Sequence, residues 1–492
     1  GFPPIVSTPP HGSPLQTMPH HPDRYVRTLP PGPWGVPVFG YLPFLKGDVH
    51  LQYGELAKKY GSMFSARLGT QLVVVLSDHR TIRDTFRREE FTGRPHTEFI
   101  NILGGYGESN VSITREVEAF LRGLAAKGGA PTNVSSFLGT SISNVICSII
   151  MGVRFRHGDS RFKRFMDLIE EGFKLFGSMA AVNFIPVMRY LPCLRKIRDK
   201  LSQNRAEMAD FFQTTVDQHR ATFEEGNVRD LVDAYLLEIQ QARGEVFCDL
   251  FDDLSIFLGL DRQMQQILGD LFSAGMETVK TTLEWAIILM MHHPEAANAV
   301  REELDQVVGR SRMPGLEDLP FLPITEATIL EVLRRSSVVP LGTTHAATRV
   351  HGYTIPAGSQ VVPLLHAVHM NPDLWEEPEK FRPNRFLSAE GKVQKPEYFM
   401  PFGVGRRMCL GDVLARMELF LFFGSLMHTF ELKSPEGASL PSLRGNAGVT
   451  VTPDPFEVCL LPRKLELSED STSSNEMTFL GGVGLLRNVG GH

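Results

Sequence analysis

No two of the five cysteines in this sequence of 492 residues form a C-x-x-C pair; Cys147, Cys193, Cys248, Cys409 and Cys459 are odd in number and widely separated. That excludes a disulfide framework and a zinc ribbon, and it fits a reducing environment for the body of the protein. A membrane-spanning helix needs roughly 20 consecutive apolar residues, and no such run is present. Charge of one sign is missing too: Lys+Arg 50 against Asp+Glu 56 leaves −6, with no like-charge block, so nothing points to nucleic acid. Residues 1–29 lack the pattern of a signal peptide and are rich in Pro and His. They are expected to be disordered, with no membrane anchor among them, as is the polar, glycine-rich tail 468–492. There are no internal repeats, and only three tryptophans: Trp34, Trp285 and Trp375.

What is present suits a large packed core, since 42% of residues are hydrophobic. Length alone is a soft guide to domain count, and one folded domain over 30–467 is expected. Pro30–Gly40, "PPGPWGVPVFG", is an extended proline-glycine hinge that introduces it. A helix–strand–strand–helix pattern follows, with "TQLVVVLS" the clearest β-branched run. From about Ser135 to Asp318 the periodicity is mainly helical, and a long apolar helix is expected from Gln263 to His293. "PFLPITEATILEVLRRSS" is a further helix, with prolines at its start where a missing N–H costs least. "GYTIPAGSQVVPLL" reads as a hairpin around Gly358, and a turn-rich stretch begins at Asn371. The apolar helix "DVLARMELFLFFGSLMHTF" comes after it. The expected fold class is mainly α with small β-sheets (α+β).

One cysteine stands in unusual company, in "FGVGRRMCLG", Phe402 to Gly411. A thiol there could be a nucleophile, a redox sensor, a metal ligand or a packed side chain. Gly405 permits a turn that other residues resist. Arg407 offers a fork of donors suited to a carboxylate. Phe402 can shield the sulfur from water, and Gly411 leaves room for something flat and bulky. The next helix begins just beyond, and its N-terminus favours a thiolate. No local signature of a cysteine-nucleophile hydrolase surrounds Cys409.

The pattern F-x-x-G-x-R-x-C-x-G, at Phe402, Gly405, Arg407, Cys409 and Gly411, resembles the haem loop of the cytochrome P-450 monooxygenases. The resemblance implies haem b, with Cys409 as the proximal iron ligand and Phe402, Gly405 and Arg407 around the cofactor. "SAGMETVKTT" resembles the family's oxygen-activation motif. There Gly275 weakens the helix locally, and the Thr278 hydroxyl can bond back to the carbonyl four residues earlier. Glu277 and Thr278 are an acid and a hydroxyl suited to passing protons to dioxygen, with Ala274 beside the cofactor. Glu331 and Arg334 share a helix face in "EVLR". With Arg385 of "FRPNRF" they match a buried charge network, whose breakage at one partner costs roughly 3–5 kcal/mol. His345 matches the basic residue that the family places near a haem propionate. The haem is expected to lie between the oxygen-activation helix and the Cys409 loop.

The wider match runs from about Pro30 to Leu467 and is of the microsomal type, similar to insect ecdysteroid 26-hydroxylases. It implies hydroxylation of an apolar substrate, an ecdysteroid in hormone inactivation. Electrons are expected from NADPH through NADPH–cytochrome P-450 reductase, at the cytosolic face of the endoplasmic reticulum membrane. Phe176 to Pro192 is apolar but too short and broken to span, so it either dips into a bilayer surface or is a buried helix-loop-helix. One departure stands out. The family's W-x-x-x-R helix, which approaches the propionates and the reductase, has no counterpart, and a missing segment is expected near 106–135. Arg115 and Arg122 are available there but out of pattern. A haem-binding relative without turnover is the alternative this departure leaves open.

Overall fold

The computed structural model describes residues 29–88, 106–156, 158–246, 253–340, 342 and 344–463. Apart from Leu29, the two terminal segments expected to be disordered lie outside these residues. After a 3₁₀ turn at Leu42–Phe44, the described elements run α1 (Val49–Tyr60), β1 (Met63–Leu68), β2 (Gln71–Leu76) and α2 (His79–Phe86). Six helices follow: α3 (Tyr106–Ala125), α4 (Ser135–Met151), α5 (Ser160–Phe184), α6 (Pro192–Thr222), α7 (Leu231–Val246) and α8 (Asp253–His292). Then come α9 (Pro294–Val307), α10 (Pro323–Ser336), β3 (Thr344–Val350), β4 (Tyr353–Pro363), α11 (Leu365–His369) and α12 (Asp412–Thr429). Strand β5 (Phe430–Lys433) and three further short strands close the series. The expected fold class, mainly helical with small sheets, is what the chain adopts.

The 40-residue α8 is the axis of the molecule, about 60 Å long at 1.5 Å per residue. Its first half buries Met264, Leu268, Phe272 and Met276 against Phe165 of α5 and Phe212 of α6. Its second half buries Val279, Leu283, Ile287 and Met290 against α3, α4 and α12. Both sets recur at helical spacing. Burying a phenylalanine as completely as Phe272 contributes roughly 1.5–3 kcal/mol. Helix α4 is buried around most of its circumference, and α8 crosses it where the two clusters meet.

Strands β1–β2–β4–β3 form one sheet, in which β2 and β4 run parallel and the other two pairs antiparallel. Val73 to Leu76 of the β-branched run are wholly buried in it. The expected hairpin around Gly358 is corrected: the chain turns at His351–Gly352 instead. Gly358, at φ +77°, sits inside β4 opposite a register shift between Ala346 and Thr348. The long helix also begins ten residues earlier than the apolar pattern suggested, at Asp253. Pro323 does open α10, at its first turn.

Candidate functional site

A cavity of about 680 Å³ opens at the middle of α8, where its two apolar clusters meet. Ala274, Gly275 and Thr278 of α8 form one wall; Phe402, Arg407 and Cys409 form part of the other. Residues as far apart in sequence as Thr278 and Cys409 are thus brought to one space, most of whose lining is apolar. Gly275 packs closely on α4: a Cβ there would meet Ile146 Cδ1 at 2.8 Å, so that side chain would have to shift. The Thr278 hydroxyl donates to the Ala274 carbonyl at 2.7 Å, the back-bond its position suggested.

The cysteine loop is held from three sides. Gly405 stands at φ +68°, and a Cβ there would lie 2.2 Å from the Phe86 carbonyl at the end of α2. Cys409 N–H donates to the Phe402 carbonyl at 2.8 Å. The Arg416 guanidinium, on the second turn of α12, lies 4.6 Å from the centre of the Phe402 ring. Cys409 is exposed, three residues ahead of the first turn of α12. Cysteine is among the most buried residue types, so a thiol presented to a largely apolar cavity suits a soft metal ligand better than a packing role. A Cβ on Gly411 would meet nothing within 4 Å, which keeps the space beside the thiol open. Thiol, arginine, glycine gap and apolar walls together fit a haem.

Beneath the site, Glu331 and Arg334 are fully buried and paired, with Arg334 Nε and Nη2 donating to the carboxylate at 2.8 and 2.9 Å. Arg385 Nε donates to the same carboxylate at 3.2 Å and the Arg382 N–H at 2.8 Å. The three residues read from the sequence as one network are one network.

Other expected residues fall elsewhere. Glu277 is not among those lining the cavity; it accepts from the Thr281 hydroxyl at 3.3 Å and pairs with Lys280 at 3.6 Å. His345 sits in β3 opposite Gln360, and its side chain lies outside the described set. A helix not anticipated from the sequence, α3, occupies Tyr106–Ala125. Neither of its arginines reaches the cavity wall; Arg122 pairs with Glu118 of its own helix at 3.6 Å. In the apolar stretch Phe176 to Pro192 the chain passes from α5 through a 3₁₀ turn, Pro186–Tyr190, into α6. Val187, Tyr190 and Leu191 are exposed there, and several neighbouring side chains lie outside the described set. Among the described residues no helix is long and apolar enough to cross a membrane.

Two cavity residues had no signal in the sequence. Glu418 of α12 is buried, its Oε1 has no hydrogen-bond partner, and burial pushes its carboxyl well above the usual range. It follows Gly411, Leu414 and Ala415 along one face of the helix. His369 closes the cavity floor with Ser337. Nothing local in the sequence marks Glu418 or His369.

Comparison with known proteins agrees with this geometry. The sequence model for the family described as Cytochrome P450 matches residues 30–112 and 105–460, two stretches that overlap where the W-x-x-x-R text is lacking. The chain is 52% identical over 479 residues to "Cytochrome P450 18a1" of Drosophila melanogaster, covering 90% of this chain and 88% of that protein. It is 33% identical over 503 residues to human "Cytochrome P450 2U1" (89% and 90% covered), and 33% over 491 residues to human "Cytochrome P450 2D6" (91% and 96%). The chain therefore belongs to the cytochrome P450 family, oxygen-incorporating oxidoreductases built on haem-thiolate iron.

Proposed function

We propose that this chain hydroxylates a steroid, an ecdysteroid, as a step in hormone inactivation, with electrons from NADPH through a separate cytochrome P450 reductase. The observation that carries the reading is the single cavity holding Cys409 on one wall and Ala274 to Thr278 on the other. The sequence likeness to insect ecdysteroid 26-hydroxylases supplies the substrate class. Haem, when bound, supplies the activation of dioxygen and the acceptance of single electrons.

The chain's own residues do the rest. Cys409 gives a thiolate, favoured by the N-terminus of α12. Phe402, held under Arg416, stands in the same cavity lining as Cys409 and would shield the sulfur once haem is bound. Arg407, at the cavity edge, would hold a propionate carboxylate of the haem, and His345 is assigned the same role on the family resemblance alone. Ala274 and Gly275, lacking bulk, keep the wall of α8 flat. The Thr278 hydroxyl, at rest donating to the Ala274 carbonyl, stands at the cavity wall as the proton-bearing group, and Glu277 would serve it only by turning from Lys280 and Thr281. The apolar remainder of the lining takes the steroid skeleton. Exposed Val187, Tyr190 and Leu191 rest on the cytosolic surface of the endoplasmic reticulum membrane.

A second reading, a haem-binding relative without turnover, is favoured by one observation: α3 carries no tryptophan and places no arginine at the cavity. A segment missing near 106–135, within one domain over 30–467, would account for it. Coexpression with the reductase in microsomes and incubation with an ecdysteroid separates the two. The expected product is heavier by one oxygen on the side chain and requires NADPH. Haem-loaded protein that forms no product supports the second reading, and oxidation of other apolar compounds but not steroids removes the substrate assignment.

A further inference from the structure

We infer that His369 is a positioning residue for the cysteine loop, transmitting the buried Glu331–Arg334–Arg385 network to the backbone of Met400, from which that loop departs. This rests on Cys409 being the iron ligand. Arg334 Nη1 donates to the His369 carbonyl at 2.8 Å and Arg334 Nη2 to the Pro378 carbonyl at 2.8 Å. Arg385 Nη1 donates to the Glu376 carbonyl at 2.9 Å. All of these acceptors precede the loop. The bond that carries on to it is Met400 N–H donating to His369 Nε2 at 3.2 Å. From Met400 the chain turns at once, with Gly403 N–H donating to the Met400 carbonyl at 3.0 Å and Cys409 N–H to Phe402 at 2.8 Å.

Donor chemistry fixes the direction of this relay. A backbone N–H can only donate, so Nε2 is the acceptor and the ring proton sits on Nδ1. Nδ1 then donates to Ser337 Oγ at 3.3 Å, and that hydroxyl donates to the Arg334 carbonyl at 3.0 Å. Every buried polar atom in the chain of bonds is used. Ser337 ends α10 as its C-cap at φ +40°, a conformation that non-glycine residues rarely adopt. The ring is 1% exposed and packs beside Phe399 and Trp375, at centroid distances of 5.6 and 6.5 Å. Burial, with Arg334 and His366 nearby, lowers its pKa to about 3, so the ring stays neutral and its tautomer does not change in use. A second proton on Nε2 would set two donors face to face at Met400. A residue present only to fill space would need none of this polarity.

The test uses haem-loaded, dithionite-reduced, carbon-monoxide-bound protein and follows decay of the thiolate-ligated Soret band, beside a far-UV melt. Gln at 369 places an amide oxygen near the Nε2 position, whereas Asn reaches only the Nδ1 position. We expect His369→Gln to decay within about twofold of wild type. His369→Asn and His369→Leu should decay about tenfold faster, the cost of one unmade buried bond, with the Asn and Gln melts alike. Equal decay of the Asn and Gln proteins overturns the proposal, and this pair decides it alone if His369→Leu fails to fold. A wild-type protein that binds haem without the thiolate band overturns it too, by removing the ligand assignment on which it stands.

Discussion

A hydroxyl inside a helix tends to compete with the backbone for hydrogen bonds, and Thr278 uses that tendency at the cavity wall. Its proton goes to the Ala274 carbonyl at 2.7 Å, and its residue lines the cavity proposed to bind dioxygen. Thr278→Val keeps the shape and removes the proton. We expect turnover to fall by about a hundredfold, the scale of a positioned proton donor, while substrate affinity read from the Soret shift stays within about twofold. A loss confined to affinity would assign Thr278 to binding alone. Thr278 was legible in the sequence because its partner is four residues away on the same helix. Glu277 was read as its companion, yet one residue along a helix is a rotation of about 100°, and its carboxylate turns to Lys280 and Thr281. His369 was not legible: its partners Ser337 and Met400 are more than thirty residues away in either direction.

Elements show the same division between local and distant causes. Helix α8 and the β2 run follow from periodicity and β-branching, and both form. The turn at His351–Gly352 was missed because Gly358 was taken for the bend, when it is an irregularity within β4, opposite the register shift between Ala346 and Thr348. Helix α3 was overlooked because a tryptophan was sought there, while its buried stripe Ile113, Val117, Phe120 and Leu124 has plain helical spacing. The junction of α6 and α7 carries a consequence for pH. His219, near the end of α6, donates Nδ1–H to the Thr215 carbonyl at 2.8 Å and faces Asp230 through Nε2 at 2.7 Å. Asp233, beside them, is paired with Arg229 at 2.5 Å. The bond to Asp230 raises the His219 pKa above its usual value near 6.5, against the opposing effect of burial. Its contribution is therefore full below about pH 6.5 and is lost as pH rises through the raised value. Thermal midpoints across that range should fall for wild type relative to His219→Gln, and a relative rise would contradict the protonated pair.

Across the whole molecule, the site stands where two apolar clusters meet along one helix and where a loop from the far end of the chain closes against α2. A network with no chemistry of its own braces that loop from below. Two of the five fixed positions of the loop show the local need read for them, the left-handed Gly405 and the open space at Gly411; the donor fork, the shield and the thiolate ligand belong to the proposed function. The cavity wall opposite was readable only by motif, since it and the loop come together through packing between distant parts of the chain. The central claim is that Cys409 holds haem iron as a thiolate. The most direct measurement is the absorption spectrum of purified, dithionite-reduced protein under carbon monoxide, for wild type and Cys409→Ser. A strongly red-shifted Soret band in wild type, lost in Cys409→Ser, is the predicted result. A band that survives the substitution, or wild-type haem with a Soret typical of histidine ligation, would contradict it.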